Sequence, residues 1–304
     1  MLQLSGIHRS FGDRLVLDDV GFTVQRGKLT GFVGGNGAGK TTTMRIILGV
    51  LSADSGTVTL DGKPLGDEQR RGFGYMPEER GLYPKMKIVD QIAYLARLHG
   101  FDKRTATAKA TDLLTRLGLG ERLHDPVDDL SLGNQQRAQI AAALVHDPAV
   151  LILDEPFSGL DPMAVDTVLG VLSEYAAQGV PVLFSSHQLD VVERLCDDVV
   201  VIAGGKIRAA GGREELREQY AESRFEIHSG GDMGWLRSQP GVQVLEFDSG
   251  YALFDADELT AQQVLRTAMD AAPVQSFSPV RPRLAEIFRD IVTDEVRHDE
   301  EAAR

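Results

Sequence analysis

Apolar positions along the first two thirds of the chain fall into two alternating patterns. Residues 29–33 form a short apolar run ending in glycine, and a helix is predicted behind it from 40 to 48. A strand over 57–60 leads into an Asp61–Gly62 turn. Helical spacing returns over 88–98, 105–117 and 135–144. Residues 150–153 and 182–185 are unbroken apolar runs between turn residues, as expected of strands covered on both faces. Between them Pro162 opens a helix, with Asp161 as its cap. Buried strands joined by helices predict an α/β fold with a mainly parallel core sheet and functional loops at its carboxyl edge.

Beyond a helix over 213–220 the pattern changes. Strands are predicted over 224–228, 242–247, 251–254 and 274–277, and helices over 232–238, 258–271 and 284–292. The order βαββαβ plus a helix fits a small α+β domain of ferredoxin-like type. The chain thus divides into a domain over 1–220, a smaller one over 221–292 and an acidic, non-periodic tail over 293–304 that is expected to fray.

Composition narrows the partners. A net charge of -13 argues against nucleic acid, whose phosphates attract basic surfaces. The single cysteine, Cys196, cannot pair within the chain and lies in an apolar stretch of helical character, so a buried, reduced thiol is expected. The start of the chain lacks the charged-then-apolar pattern of a secretion signal, and no apolar run approaches the ~20 residues that span a bilayer. A cytoplasmic location is expected, with any membrane work done through a partner.

The chemistry is concentrated in two places. Gly34-Gly35-Asn36-Gly37-Ala38-Gly39-Lys40-Thr41, followed by Thr42, satisfies GxxxxGK[ST] between a strand and a helix. Such a loop turns successive N–H groups toward a phosphate, and the helix N-terminus adds positive potential. Lys40 suits the β and γ phosphates, and the Thr41 hydroxyl suits Mg²⁺. A glycine-rich turn that only caps a helix is the bland alternative; a chance match in this length has odds of roughly one in a hundred. The second place is the run Val150-Leu151-Ile152-Leu153-Asp154-Glu155, a strand ending in two carboxylates. Asp154 can hold the Mg²⁺ shell, and Glu155 can orient or deprotonate an attacking water. By itself this could be a strand ending in a solvated acidic turn; beside a phosphate loop both groups serve one chemistry.

Leu130-Ser131-Leu132-Gly133-Asn134-Gln135-Gln136-Arg137 resembles the LSGGQ signature of ABC-type ATPases, with Leu132 and Asn134 departing from its first glycine and its glutamine. Ser158-Gly159-Leu160-Asp161 resembles the D-loop, His187 matches the switch histidine that contacts the γ-phosphate, and Phe11 stands where an aromatic stacks on adenine. Gly74-Tyr75-Met76-Pro77-Glu78-Glu79-Arg80 resembles the Q-loop region with Glu78 in place of glutamine, a carboxylate able to make the same metal contact. Over about 2–220 the chain is therefore similar to an ABC nucleotide-binding domain, and its 78–86 segment resembles a bacterial sodium-efflux and drug-export subgroup. The resemblance implies a P-loop NTPase fold with a helical subdomain, ATP and Mg²⁺ as cofactors, and catalytic roles for Glu155 and His187. It also implies a head-to-tail homodimer in which Ser131 and Gly133 complete the partner's ATP site, with Asp161 as the D-loop aspartate. The expected function is ATP hydrolysis that powers a separate transmembrane permease, an exporter by the subgroup. The rival is a soluble ABC ATPase of protein assembly or repair that moves no solute. A non-catalytic nucleotide switch is opposed by intact Asp154, Glu155 and His187.

Overall fold

Two long strands, β1 (Leu2–Phe11) and β2 (Arg14–Val24), pair antiparallel in the computed structural model, which describes residues 1–79, 81–219, 223–280 and 286–288. Their inward side chains Leu2, Leu4, Ile7, Leu17, Val20 and Val24 are buried. Register slips between Leu4 and Ile7, beside the left-handed residues Gly6 and Asp19, bend the pair in the manner of a bulge. β3 (Leu29–Val33) is buried at every position and runs into α1 (Lys40–Ile47). β4 (Ser55–Leu60) and β5 (Lys63–Pro64) complete a first antiparallel sheet in the order β2-β1-β4-β5.

The short α2 (Asp67–Arg70) precedes β6 (Phe73–Met76). Three helices follow, α3 (Ile88–Leu98), α4 (Lys103–Arg116) and α5 (Leu132–Leu144); they pack on one another and bury Ile88, Ile92, Ala110, Leu114 and Ile140. Asp102 caps α4 by accepting from the N–H groups of Arg104 and Thr105. The chain then alternates through β7 (Val150–Leu153), α6 (Pro162–Ala177), β8 (Val182–Ser186), α7 (Leu189–Leu195) and β9 (Asp198–Ala203), ends this part with β10 (Lys206–Gly212), and passes into the next through α8 (Arg213–Gln219). Asp161 caps α6 with Pro162 in its first turn, as expected.

The main sheet has the order β10-β9-β3-β8-β7-β6. β9, β3, β8, β7 and β6 run parallel, and only the edge strand β10 is antiparallel. Phe32, Met44, Ile47, Ile152, Leu183 and Ile202 form its core with the inner face of the first sheet, and the Phe22 and Phe32 rings meet at 5.1 Å. Parallel pairing aligns the carboxyl ends of β3, β6, β7 and β8, so the residues just beyond Val33, Met76, Leu153 and Ser186 open on one edge. Cys196 is buried as expected, but it follows the last turn of α7 instead of lying inside the helix; burial pushes its thiol pKa well up.

The chain divides into two compact units, with Met1–Arg213 in one and Glu214–Asp290 in the other. In the second, β11 (Arg224–Ser229), β12 (Gln243–Asp248), β13 (Tyr251–Asp255), α9 (Glu258–Ala271) and β14 (Val274–Pro279) form an antiparallel sheet of order β12-β13-β11-β14 with one helix. The expected helix over 232–238 is a single 3₁₀ segment, Gly234–Ser238, where two glycines and Asp232 favour a turn. Residues 286–288 are helical; the rest of the expected 284–292 helix and the 293–304 tail lie outside the described residues. Ile227, Leu236, Ala252, Phe254 and Val264 make the core of this unit. Phe254→Ala is expected to cost about 3–5 kcal/mol of its stability. Trp235, the chain's one tryptophan, packs on this core, so its fluorescence in urea should report an earlier transition. An unshifted midpoint would contradict the assignment.

Candidate functional site

The loop between β3 and α1 curls because Gly39 takes φ 109°, where a side chain would also strike Leu17 Cδ2 at 2.5 Å. Its curl frees the first N–H groups of α1 to face outward at the sheet edge. Lys40 is only 9% exposed; its ammonium donates to the carbonyls of Gly34 at 2.6 Å and Gly35 at 3.2 Å, which fixes it in the mouth of the loop. The Thr41 hydroxyl donates to Asp154 Oδ2 at 3.1 Å, joining the loop to the end of β7.

Asp154 and Glu155 are both buried. Ser185, at the end of β8, donates to Asp154 Oδ1 and accepts from the Glu155 N–H at 2.9 Å. Glu155 holds φ 53°, a left-handed conformation that costs a non-glycine residue of order 1–3 kcal/mol and clusters at active sites. His187 Nδ1 lies 2.9 Å from Glu155 Oε2. A buried carboxylate, a paired imidazole and a fixed ammonium thus meet at one edge, as activation of water beside a bound anion requires.

These groups line a cleft of about 530 Å³. Of the residues singled out in the sequence, Phe11, Gly35, Asn36, Gly37, Gly39, Lys40, Thr41, Thr42, Glu78, Asp154, Glu155 and His187 border it. Phe11 stands on its rim, 47% exposed, with the Arg9 guanidinium 4.8 Å from its ring centroid. Gly34 and Ala38 lie in the loop behind this lining. Arg14 and Val16, from the start of β2, border the cleft too and carry no motif that would have marked them. Their only signal is the Gly12–Asp13 turn, which returns β2 alongside Phe11.

Ser131, Gly133 and Asp161 do not border the cleft. Ser131 caps α5, accepting from the Asn134 N–H at 3.3 Å, and Leu132 beside it is exposed. Gly133 lies against the Ser158–Asp161 loop, where an added Cβ would meet the Gly159 carbonyl at 3.3 Å. The signature-like segment and the loop after Glu155 are therefore neighbours within one chain, away from its own Lys40.

Comparison with known proteins agrees with this geometry. Residues 17–158 match the family model described as ABC transporter, and residues 211–292 match that described as ATP-binding protein DrrA1-3-like, C-terminal domain. A solved structure of an ATP binding subunit of an ABC transporter, 32% identical, superposes with a TM-score of 0.66 over 72% of this chain and 93% of that one. The Nod factor export ATP-binding protein I of Bradyrhizobium is 33% identical over 83% of this chain and 84% of its own. The ABC transporter ATP-binding protein YhaQ of Bacillus subtilis is 38% identical over 95% of this chain and 97% of its own. Likeness along the whole length, and not only across the phosphate loop, places this chain in the ABC transporter family as one of its ATP-binding proteins.

Proposed function

We propose that the chain hydrolyses ATP as one half of a homodimer and powers a separate transmembrane permease, as an exporter, from the cytoplasmic face of the membrane. The observation that carries the catalytic part is the convergence of Lys40, Thr41, Asp154, Glu155 and His187 on one cleft. In this reading the loop N–H groups and Lys40 hold the phosphates, and Phe11 stacks on the base. Glu155 orients and deprotonates the water, while His187 steadies that carboxylate and contacts the γ-phosphate. The separation of Ser131, Gly133 and Asp161 from their own cleft supports a shared, head-to-tail site. Export is supported by the Bradyrhizobium relative, an export ATP-binding protein by its name. Among the described residues no helix is long and apolar enough to cross a membrane, so the proposal assigns the pore to another chain.

The donor set also fits Mg²⁺. The Thr41 hydroxyl and the Asp154 and Glu78 carboxylates are hard oxygens facing one cleft, the ligand class that ion takes. In this reading phosphate oxygens and water would complete the shell of the ion. When bound, it would neutralise charge on the phosphates.

Two measurements test the proposal. Purification in mild detergent should bring down a multi-span membrane protein; recovery of the chain alone, or with soluble assembly factors, would favour the non-transport reading. Truncation after Gln219 should leave nucleotide affinity within about twofold, since every proposed contact precedes it and an uninvolved distant segment changes binding by only about 0.3–0.5 kcal/mol. Loss of ATP binding in a folded truncation would show that the C-terminal unit takes part in the site.

A further inference from the structure

Helix α5 carries two buried glutamines three residues apart, Gln136 at 5% and Gln139 at 4% exposure, which places them on one face. Gln136 Nε2 donates to the Glu155 carbonyl at 2.9 Å. Gln139 Nε2 donates to the carbonyls of Pro77 at 2.8 Å and Glu79 at 3.1 Å, on either side of Glu78. The loops bearing two of the carboxylates of the cleft are thus fastened to one helix face. Ser131 caps that helix, five residues before Gln136, about 7.5 Å along the axis at 1.5 Å per residue.

Glu155 needs such fastening. A left-handed glutamate persists only where its surroundings over-determine it. Its N–H is held by Ser185, its carboxylate by His187, and its carbonyl by Gln136 and the Ser158 N–H at 3.2 Å. Among the described residues, only the Gln136 bond reaches Glu155 from the helical segment between β6 and β7.

We propose that Gln136 is a positioning residue that holds Glu155 in its left-handed conformation, and that with Gln139 it makes α5 a bar carrying both acidic loops along with the Ser131 segment. Any displacement of α5, such as one caused by a nucleotide of a second copy at Ser131, then moves the Glu155 carboxylate relative to Lys40. The inference rests on Glu155 as the group that orients water.

The test uses the full chain with three variants. Gln136→Leu keeps the volume and removes the donor, while the Glu155 carbonyl retains the Ser158 N–H. Its kcat should fall on the order of tenfold, the effect of losing about one hydrogen bond's worth of barrier stabilisation. Affinity for a fluorescent ATP analogue should stay within about twofold, because the interaction is made to the catalytic carboxylate and not to the nucleotide. Gln136→Glu supplies a readout that a merely structural role would not give. Its neutral carboxyl can donate to the Glu155 carbonyl and its ionised form cannot, so kcat relative to wild type at the same pH should fall as pH rises. Gln139→Leu, which frees the loop of Glu78, should slow turnover as well. The proposal is overturned if Gln136→Leu keeps kcat within about twofold, if kcat and affinity fall together, or if the Gln136→Glu ratio is flat with pH. Should Gln136→Leu fail to fold, the Gln136→Glu ratio decides by itself. A wild-type chain that binds but does not turn over ATP would instead overturn the reading of Glu155.

Discussion

Glu155→Gln is expected to abolish steady-state ATP hydrolysis while ATP binding survives, leaving a dimer held together by the unhydrolysed nucleotide. The amide has the size of the carboxylate and can keep the φ 53° backbone and a contact to His187. It cannot take a proton from water, and loss of a positioned general base costs roughly 10²–10⁴-fold in rate. Asp154, bonded to the Thr41 hydroxyl, and Lys40, bonded to the carbonyls of the phosphate loop, are untouched by the change. Size-exclusion chromatography with ATP, beside a phosphate-release assay, reads both halves of the result. Turnover within a factor of about two of wild type would remove Glu155 from the mechanism, since no catalytic base is that dispensable.

A gain of activity from two dead proteins is the second large effect. Lys40→Ala removes the ammonium that spans the mouth of the phosphate loop, so that subunit cannot hold ATP productively. Ser131→Arg places a bulky cation where the shared-site reading needs a small hydroxyl. Each homodimer then has two broken sites. A mixed dimer has one site with both lesions and one that joins an intact Lys40 to an intact Ser131. Random re-pairing puts about half the molecules in mixed dimers, so about a quarter of wild-type turnover should return if one sound site fires alone. Cross-linking of differently tagged subunits shows that mixed dimers have formed. Formed but inactive dimers would refute independent firing at a shared site; a Ser131→Arg homodimer with normal activity would refute the assignment of Ser131.

What could be read in advance depended on how local the cause was. β3 and β7 announce themselves because unbroken apolar runs are what two-sided burial demands. β1 and β2 do not: Gly6 and Asp19 and the register slips around Ile7 break the two-residue alternation, so neither strand was predicted. β9 went unpredicted as well. Only Cys196 and Asp197 separate it from α7, and its apolar residues read as more helix. The phosphate loop and the paired acids were legible, since their chemistry is written in adjacent residues. Ser185 and Gln136 were not. Each acts on Glu155 from a segment distant in sequence, and a serine ending a strand or a glutamine on a helix has no motif until the chain is folded. Phe11 was legible only through its place in the family pattern, and the fold leaves it exposed on the cleft rim.

The seclusion of Cys196 has a use at the bench. The thiolate is the reactive form, and burial suppresses it here, so maleimide and methanethiosulfonate reagents should pass over the native sulfur. A single new cysteine at a well-exposed position such as Met163, 81% exposed near the start of α6, would then carry all of the label. The natural sequence thus serves as its own cysteine-free background, and spin or fluorophore pairs could follow the approach of two subunits through an ATP cycle without the repacking cost of first replacing a core residue.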